Sequence, residues 1–210
     1  MSGAERGSVG SCGSLAAKHH DDFESASHVL SLWVWFGVVA IAALAVVSGG
    51  VTAWLVFRAV DDPLPDSADA LVVFAGESAR VQLALQLSDD LAAGGVAPVV
   101  VFSYGLDNPL VVDRCGQLRP VEVLCPAPDS SSTQGEAQMF ADLARERGWR
   151  TVVGVTANYH LARARTLLTR CVGDSAKVAF ATVDWDAVAM RVYLHEIAGL
   201  GFASSFSRNC

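Results

Sequence analysis

Apolar residues are distributed along this chain in two different ways. No charged residue lies between His28 and Arg58, and positions 29–57 read VLSLWVWFGVVAIAALAVVSGGVTAWLVF. A helix needs ~20 apolar residues to cross a bilayer, so the run predicts one transmembrane helix over 29–57. Trp33 and Trp35 near one end, and Trp54 near the other, stand where interfacial aromatics belong. Two other readings compete: a buried core helix, and a cleaved signal peptide with Val51-Thr52-Ala53 as its cleavage site. The length of the run disfavours the first. Apolar residues that continue past Ala53, behind a long acidic leader, disfavour the second.

Elsewhere the pattern changes. Residues 1–28 mix Ser, Gly, Ala and His without apolar periodicity and predict a disordered cytoplasmic tail. Residues 58–68 contain Asp61-Asp62-Pro63-Leu64-Pro65-Asp66, which predicts an acidic linker stiffened by proline. Over 69–210 short apolar runs alternate with helical periodicity. Ala70–Ala75, Pro98–Ser103, Thr151–Thr156 and Lys177–Val183 predict strands, with a short further one at Val121–Leu124. Continuous apolar runs of this kind suit parallel strands covered on both faces. Helical spacing marks Ser78–Ala93, Thr133–Arg147, Leu161–Arg170 and a last helix from about Trp185 to Leu200. The alternation predicts an α/β fold: a Rossmann-like, doubly wound, mainly parallel sheet with its ligands at the strands' carboxyl ends.

Composition sharpens this picture. The 210 residues are 52% hydrophobic and 18% charged, against ~25% charged in an ordinary soluble domain. A net charge of −7, with no Lys/Arg cluster, excludes a nucleic-acid binder working through a basic face. After residue 57 there are 13 basic residues against 18 acidic ones, and 12 of those 13 are Arg. Arginine is the better fork for phosphate or carboxylate.

The cysteines bear on location. Cys12 precedes the span, whereas Cys115, Cys125, Cys171 and Cys210 follow it. Arg6 and Lys18 before the span and Arg58 after it leave the charge rule for orientation nearly balanced. An even set on one side fits an oxidising compartment, which places the C-terminal domain outside the cytoplasm and the chain in the cell membrane as a single-pass protein. Of the three pairings, Cys115–Cys125 with Cys171–Cys210 is expected; buried free thiols in a cytosolic domain are the alternative. No C-x-x-C or His–Cys spacing occurs, so no metal is expected.

Three runs could carry chemistry. Thr156-Ala157-Asn158-Tyr159-His160-Leu161-Ala162-Arg163 follows a buried strand and opens a helix. His160 and Arg163 are three apart, on one face near the positive helix end, which suits an anion. In Ser130-Ser131-Ser132-Thr133-Gln134-Gly135-Glu136, Thr133 and Glu136 have capping-box spacing. In Gly76-Glu77-Ser78-Ala79-Arg80, Gly76 permits a tight turn, and Glu77 and Arg80 can form a local ion pair. Plain structural roles compete in each case: solvated helix arginines, a cap, a surface pair. Sharper signatures are missing. There is no Walker loop and no G-x-G-x-x-G; His195-Glu196 opens like a zincin helix, but Gly199 stands where the second His belongs. A Ser78 hydrolase using His160 or His195 would need Gly where Arg80 stands.

In order, Leu71–Arg80, Ser131–Ala137 and Val155–Ala164 resemble the ElyC/SanA/YdcF-type domain family. The resemblance covers about Asp69 to Leu200, and Thr156-x-x-Tyr159-His160-x-x-Arg163-Ala164 is its most specific part. It implies a Rossmann-like fold and, for the single-span branch, a link to envelope integrity and to peptidoglycan or lipid-carrier metabolism. S-adenosylmethionine binding, associated with a cytosolic branch, does not carry over to an exported domain, so no cofactor is expected. Residue by residue, the resemblance favours Gly76, Arg80, Thr133, Glu136, Thr156, His160 and Arg163, and matches Glu196 near the end. The chain departs from the family at Ser103-Tyr104-Gly105, where Ser-Gly-Gly is usual, and at Ser132, where Asn is usual. It departs again where the cysteine-containing segment Asp107–Cys125 replaces a helix.

Two function classes follow. In the first, the domain binds or processes a phosphorylated envelope precursor or polyprenyl phosphate. Arg80 and Arg163 hold the phosphate with Gly76, Glu77, Thr133 and Thr156 around it. His160 is the acid or base, and Glu136 orients it. In the second, the same crevice belongs to a non-catalytic ligand-sensing or scaffold module of the envelope. The expected partners are the lipid bilayer and that phosphorylated ligand, without nucleic acid.

Overall fold

A computed structural model describes residues 33–51, 62–95, 98–118, 120–185, 190–205 and 210. These fall into two compact units that divide after residue 52. The expected tail over 1–28, the candidate cleavage site beyond Val51 and the outer ends of the expected span lie outside the described residues.

The first unit contains helix α1, Trp33–Val51, whose 19 residues have a mean hydropathy of 2.3 and no side chain buried within the protein. At 1.5 Å per residue it is about 29 Å long, close to the ~30 Å hydrocarbon core of a bilayer.

The second unit is α/β. Strands β1 (Ala70–Val73), β2 (Val99–Phe102), β3 (Val123–Leu124), β4 (Thr151–Ala157) and β5 (Lys177–Val183) form one sheet in the order β3-β2-β1-β4-β5. Every pairing is parallel, as the continuous apolar runs predict. Helices α2 (Ser78–Ala93), α3 (Thr133–Arg147), α4 (Leu161–Val172) and α5 (Met190–Ser205) complete it. The last helix runs past the expected Leu200 to Ser205.

Side chains alternate across the pleat of β1 and so join two cores. Ala70, Val72 and Phe74 pack with Phe140 of α3 and Leu161 and Leu168 of α4, while Leu71 and Val73 pack with Val81 and Ala84 of α2. Phe74 meets Phe140 edge-on at 5.2 Å and His160 at 5.8 Å between ring centroids, so the core directly supports the site above it. On β4, Gly154 lies under the Phe180 ring, leaving no room there for a Cβ.

The expected linker is partly built into the domain. Asp62 exchanges hydrogen bonds with β5: its amide donates to the Phe180 carbonyl, and its carboxylate accepts from the Phe180 amide and from Arg165. Two disulfides, Cys115–Cys125 and Cys171–Cys210, join the four cysteines that follow α1 in the expected pairing.

Candidate functional site

Chain connections leave β1 towards β2 on one side and return to β4 on the other, so the topological switch lies between β1 and β4. There the strands' carboxyl ends open into a cleft of about 360 Å³. Gly76, Arg80, Thr133, Glu136, His160 and Arg163 all line it. Thr156 is wholly buried behind His160, and Glu77 lines an adjoining hollow.

The loop after β1 shows why glycine is needed at 76. Gly76 has φ +148°, and a Cβ there would lie 2.7 Å from the Arg80 guanidinium carbon. Arg80 is buried and bonded through both terminal nitrogens, while its Nε has no hydrogen-bond partner among the described residues. Its Nη1 donates to the Ala75 carbonyl at 2.6 Å; its Nη2 donates to the Tyr159 hydroxyl at 3.1 Å and meets the Glu77 carboxylate at 2.9 Å. Tyr159 in turn donates its hydroxyl to Glu77. Burial pushes the Glu77 carboxyl up, but the Tyr159 hydroxyl and Arg80 outweigh it and hold it below the usual range. Burial, with the Glu77 carboxylate as acceptor, pushes the Tyr159 phenol up to about 12. The expected surface ion pair is therefore a three-residue, partly buried network.

The start of α3 differs from the expected capping box. Ser132 is the cap: its extended backbone (φ −142°, ψ 154°) lets its Oγ accept from the Gly135 amide at 3.1 Å. Glu136 then stands at the fourth helical position, one past the place from which a capping-box carboxylate reaches back. It instead accepts from the Ala75 amide at 2.7 Å, tying α3 to the end of β1. Burial raises the Glu136 carboxyl above its ordinary value against the opposing pull of the Ala75 amide, the Ser103 hydroxyl, Arg80 and Arg163. Ser103 Oγ bears on this carboxylate but forms no full hydrogen bond among the described residues.

Thr133, released from capping, meets His160. Its hydroxyl lies 3.2 Å from His160 Nε2, while Thr156 Oγ1 lies 2.8 Å from Nδ1. A neutral imidazole donates through one nitrogen and accepts through the other, so the two threonines take opposite roles. Burial holds the His160 pKa well below 6.5, and the charges of Arg80, Arg163 and His195 push it the same way. At neutral pH the ring is uncharged, and its route to the cleft runs through the Thr133 hydroxyl. Both ring nitrogens of His160 bond to threonines and none to Glu136, so Thr156 and Thr133, rather than the expected Glu136 carboxylate, hold the ring's orientation.

Arg163 grips Glu196 of α5 with two hydrogen bonds, Nε to Oε2 at 2.9 Å and Nη2 to Oε1 at 2.7 Å. Gly199 makes room for this arm, since a Cβ there would come within 2.9 Å of Arg163 Cδ. Ser78 opens α2 and lines the adjoining hollow, in which neither His160 nor His195 takes part, so the Ser78 hydrolase arrangement is absent. Among the described residues no cluster of His, Cys, Asp or Glu is arranged to hold a metal.

Sequence reasoning passed over Tyr159, Ser103 and Tyr104. Tyr159 stands in the most informative run, and its signal was position: one residue before His160, at the mouth of the switch. Tyr104 is the one non-glycine residue with positive φ (52°) among those described, a conformation costing a non-glycine residue roughly 1–2 kcal/mol. No family model matches the chain, and no curated protein or solved structure matches it.

Proposed function

We propose that this chain is a single-pass membrane protein of the ElyC/SanA/YdcF type. Its α/β domain lies outside the cytoplasm and binds or processes a phosphorylated envelope ligand, such as polyprenyl phosphate or a precursor carried on it. The observation that carries the reading is convergence: the N-terminus of α3, Arg80, Arg163, Glu136 and the Thr133–His160 pair share one cleft at the switch point. Helix amides and guanidinium donors favour an anion. Glu196 occupies two of the five guanidinium donors of Arg163, and Arg80 adds positive potential while being held in place. Two disulfides support an oxidising compartment, and α1 supports an anchor.

For processing, a proton would pass between the ligand and His160 by way of the Thr133 hydroxyl. Glu136, raised by burial, is placed to hold or give up a second proton. One observation favours the non-catalytic alternative of ligand sensing or scaffolding: Arg80, Arg163, Glu196 and both nitrogens of His160 already have partners. Turnover decides between the two. The full chain in lipid nanodiscs should bind polyprenyl phosphate at least tenfold more tightly than the uncharged polyprenol, and Arg163→Gln should remove that preference. Equal affinity for the two lipids would sink the phosphate reading. Preference without consumption of any phosphorylated precursor would leave the sensing module.

A further inference from the structure

We infer that the cleft continues past Tyr104 into a second subsite that takes an uncharged, hydroxyl-rich group, a sugar or polyol, attached to the phosphate. The inference rests on the phosphate reading above for the first half of the ligand only. A hollow of about 350 Å³ adjoins the cleft, and the two share Ala75, Gly76 and Tyr104 as a common wall. That volume lies within the ~300–1,000 Å³ of ligand pockets.

The chemistry of the two halves differs. Arginines line the cleft, whereas among the described residues no Lys or Arg lines the hollow. Its polar lining is Glu77, Ser78, Ser103, Asp107 and Asn108, over a floor that includes Val73, Phe102 and Val111. Carboxylate and amide oxygens accept from ligand hydroxyls, serine hydroxyls donate or accept, and an aromatic ring at the edge covers an apolar ring face. A second phosphate would meet the carboxylates of Glu77 and Asp107 there, which disfavours an anion.

Two features join the halves physically. Ser103 lines the hollow, and its buried hydroxyl has no fully formed hydrogen bond among the described residues, yet it bears on Glu136, which lines the cleft. A ligand hydroxyl in the hollow would complete the bonding of Ser103 and so reach Glu136. Tyr104 holds its left-handed conformation at the shared wall, with its amide on the Pro126 carbonyl. Beside it Gly105 packs against the Cys115–Cys125 disulfide, where a Cβ would lie 2.6 Å from Cys125 Sγ. Strain of this kind persists where the surrounding structure over-determines it, and the disulfide-backed loop does so here.

The test uses the full chain in detergent, with ligand-observed NMR and four probes: inorganic phosphate, glucose 1-phosphate, glucose and aminoethyl phosphate. Glucose 1-phosphate should bind about tenfold or more tightly than phosphate, the gain expected from one or two net hydrogen bonds. Asp107→Ala with Asn108→Ala should erase that gain. Tyr104→Gly should erase it as well, and because glycine accepts this backbone without strain, a folding defect cannot account for the loss. Equal binding of glucose 1-phosphate and phosphate would overturn the subsite while leaving the phosphate reading standing. A gain for aminoethyl phosphate alone would also overturn it, revealing a cation site. Glucose binding without phosphate binding would uphold the subsite and refute the phosphate reading, and binding of no probe would refute both.

Discussion

Removing the carboxylate of Glu196 should unlock α5 from the site and destabilise the domain measurably. The side chains of Arg163 and Glu196 are only 17% and 6% exposed, joined by bonds of 2.9 and 2.7 Å. Breaking a buried pair from one side costs about 3–5 kcal/mol, because the remaining charge loses its partner. Partial exposure of Arg163 gives it some water, and glutamine retains one acceptor, so Glu196→Gln should cost about 2–3 kcal/mol. With a urea dependence of about 2 kcal/mol per molar, the midpoint should fall by about 1–1.5 M. Pulse proteolysis of the full chain in a mild detergent reads this, since it scores unfolding of the domain whatever the anchor does. Adding Arg163→Gln closes a double-mutant cycle, in which the coupling should be at least ~1 kcal/mol. A midpoint shift below about 0.3 M, or additive single changes, would show that the pair does not hold α5.

Further consequences follow from other parts of the domain. His160 is neutral in the folded state because its pKa lies well below the unfolded 6.5, so the unfolded chain binds the extra proton first. Its stability contribution is therefore complete above pH 6.5 and declines as pH falls below it, by up to ~1.4 kcal/mol per pH unit. Glu136, whose carboxyl is raised, works in the opposite direction as pH falls towards 4.5. Urea midpoints from pH 7.5 to 5.5 should show the decline for the native chain and a flatter line for His160→Gln; parallel lines would refute a buried neutral ring. Gly76→Ala should cost about 1–3 kcal/mol by forcing a side chain onto a positive-φ position, and more if Arg80 cannot move, as read by the same midpoints. Alkylation of the unreduced, denatured chain should label one cysteine of five, Cys12, and labelling of more would contradict the two disulfides. Cys210→Ser should lower stability by about 3–4 kcal/mol, given a 39-residue closure.

Much of the fold was legible because its signals are local. The all-apolar Ala70–Val73 is buried on both faces, and apolar periodicity gave α2, α3 and α4 their places. The order of elements then led to a parallel doubly wound sheet and to a site at its carboxyl edge. Local signals also misled where a longer-range partner competed. Thr133 and Glu136 have the spacing of a cap, yet Thr133 belongs to a histidine 27 residues away and Glu136 to an amide 61 residues away. Asp62 reads as linker because nothing near it in sequence announces that its carboxylate joins β5 and Arg165. The partners of Tyr159 were hidden for the same reason, since Glu77 and Arg80 lie 82 and 79 residues away along the chain.

The central claim is that the cleft between β1 and β4 receives a phosphorylated lipid. Photocrosslinking in nanodiscs tests it most directly, using polyprenyl phosphate with a diazirine beside the phosphate and the matching polyprenol as control. Phosphate-dependent adducts are expected within Ala75–Gly76, Ser131–Thr133 and Tyr159–Arg163, lost in Arg163→Gln. Adducts confined to α1, or the same pattern from the uncharged polyprenol, would contradict it.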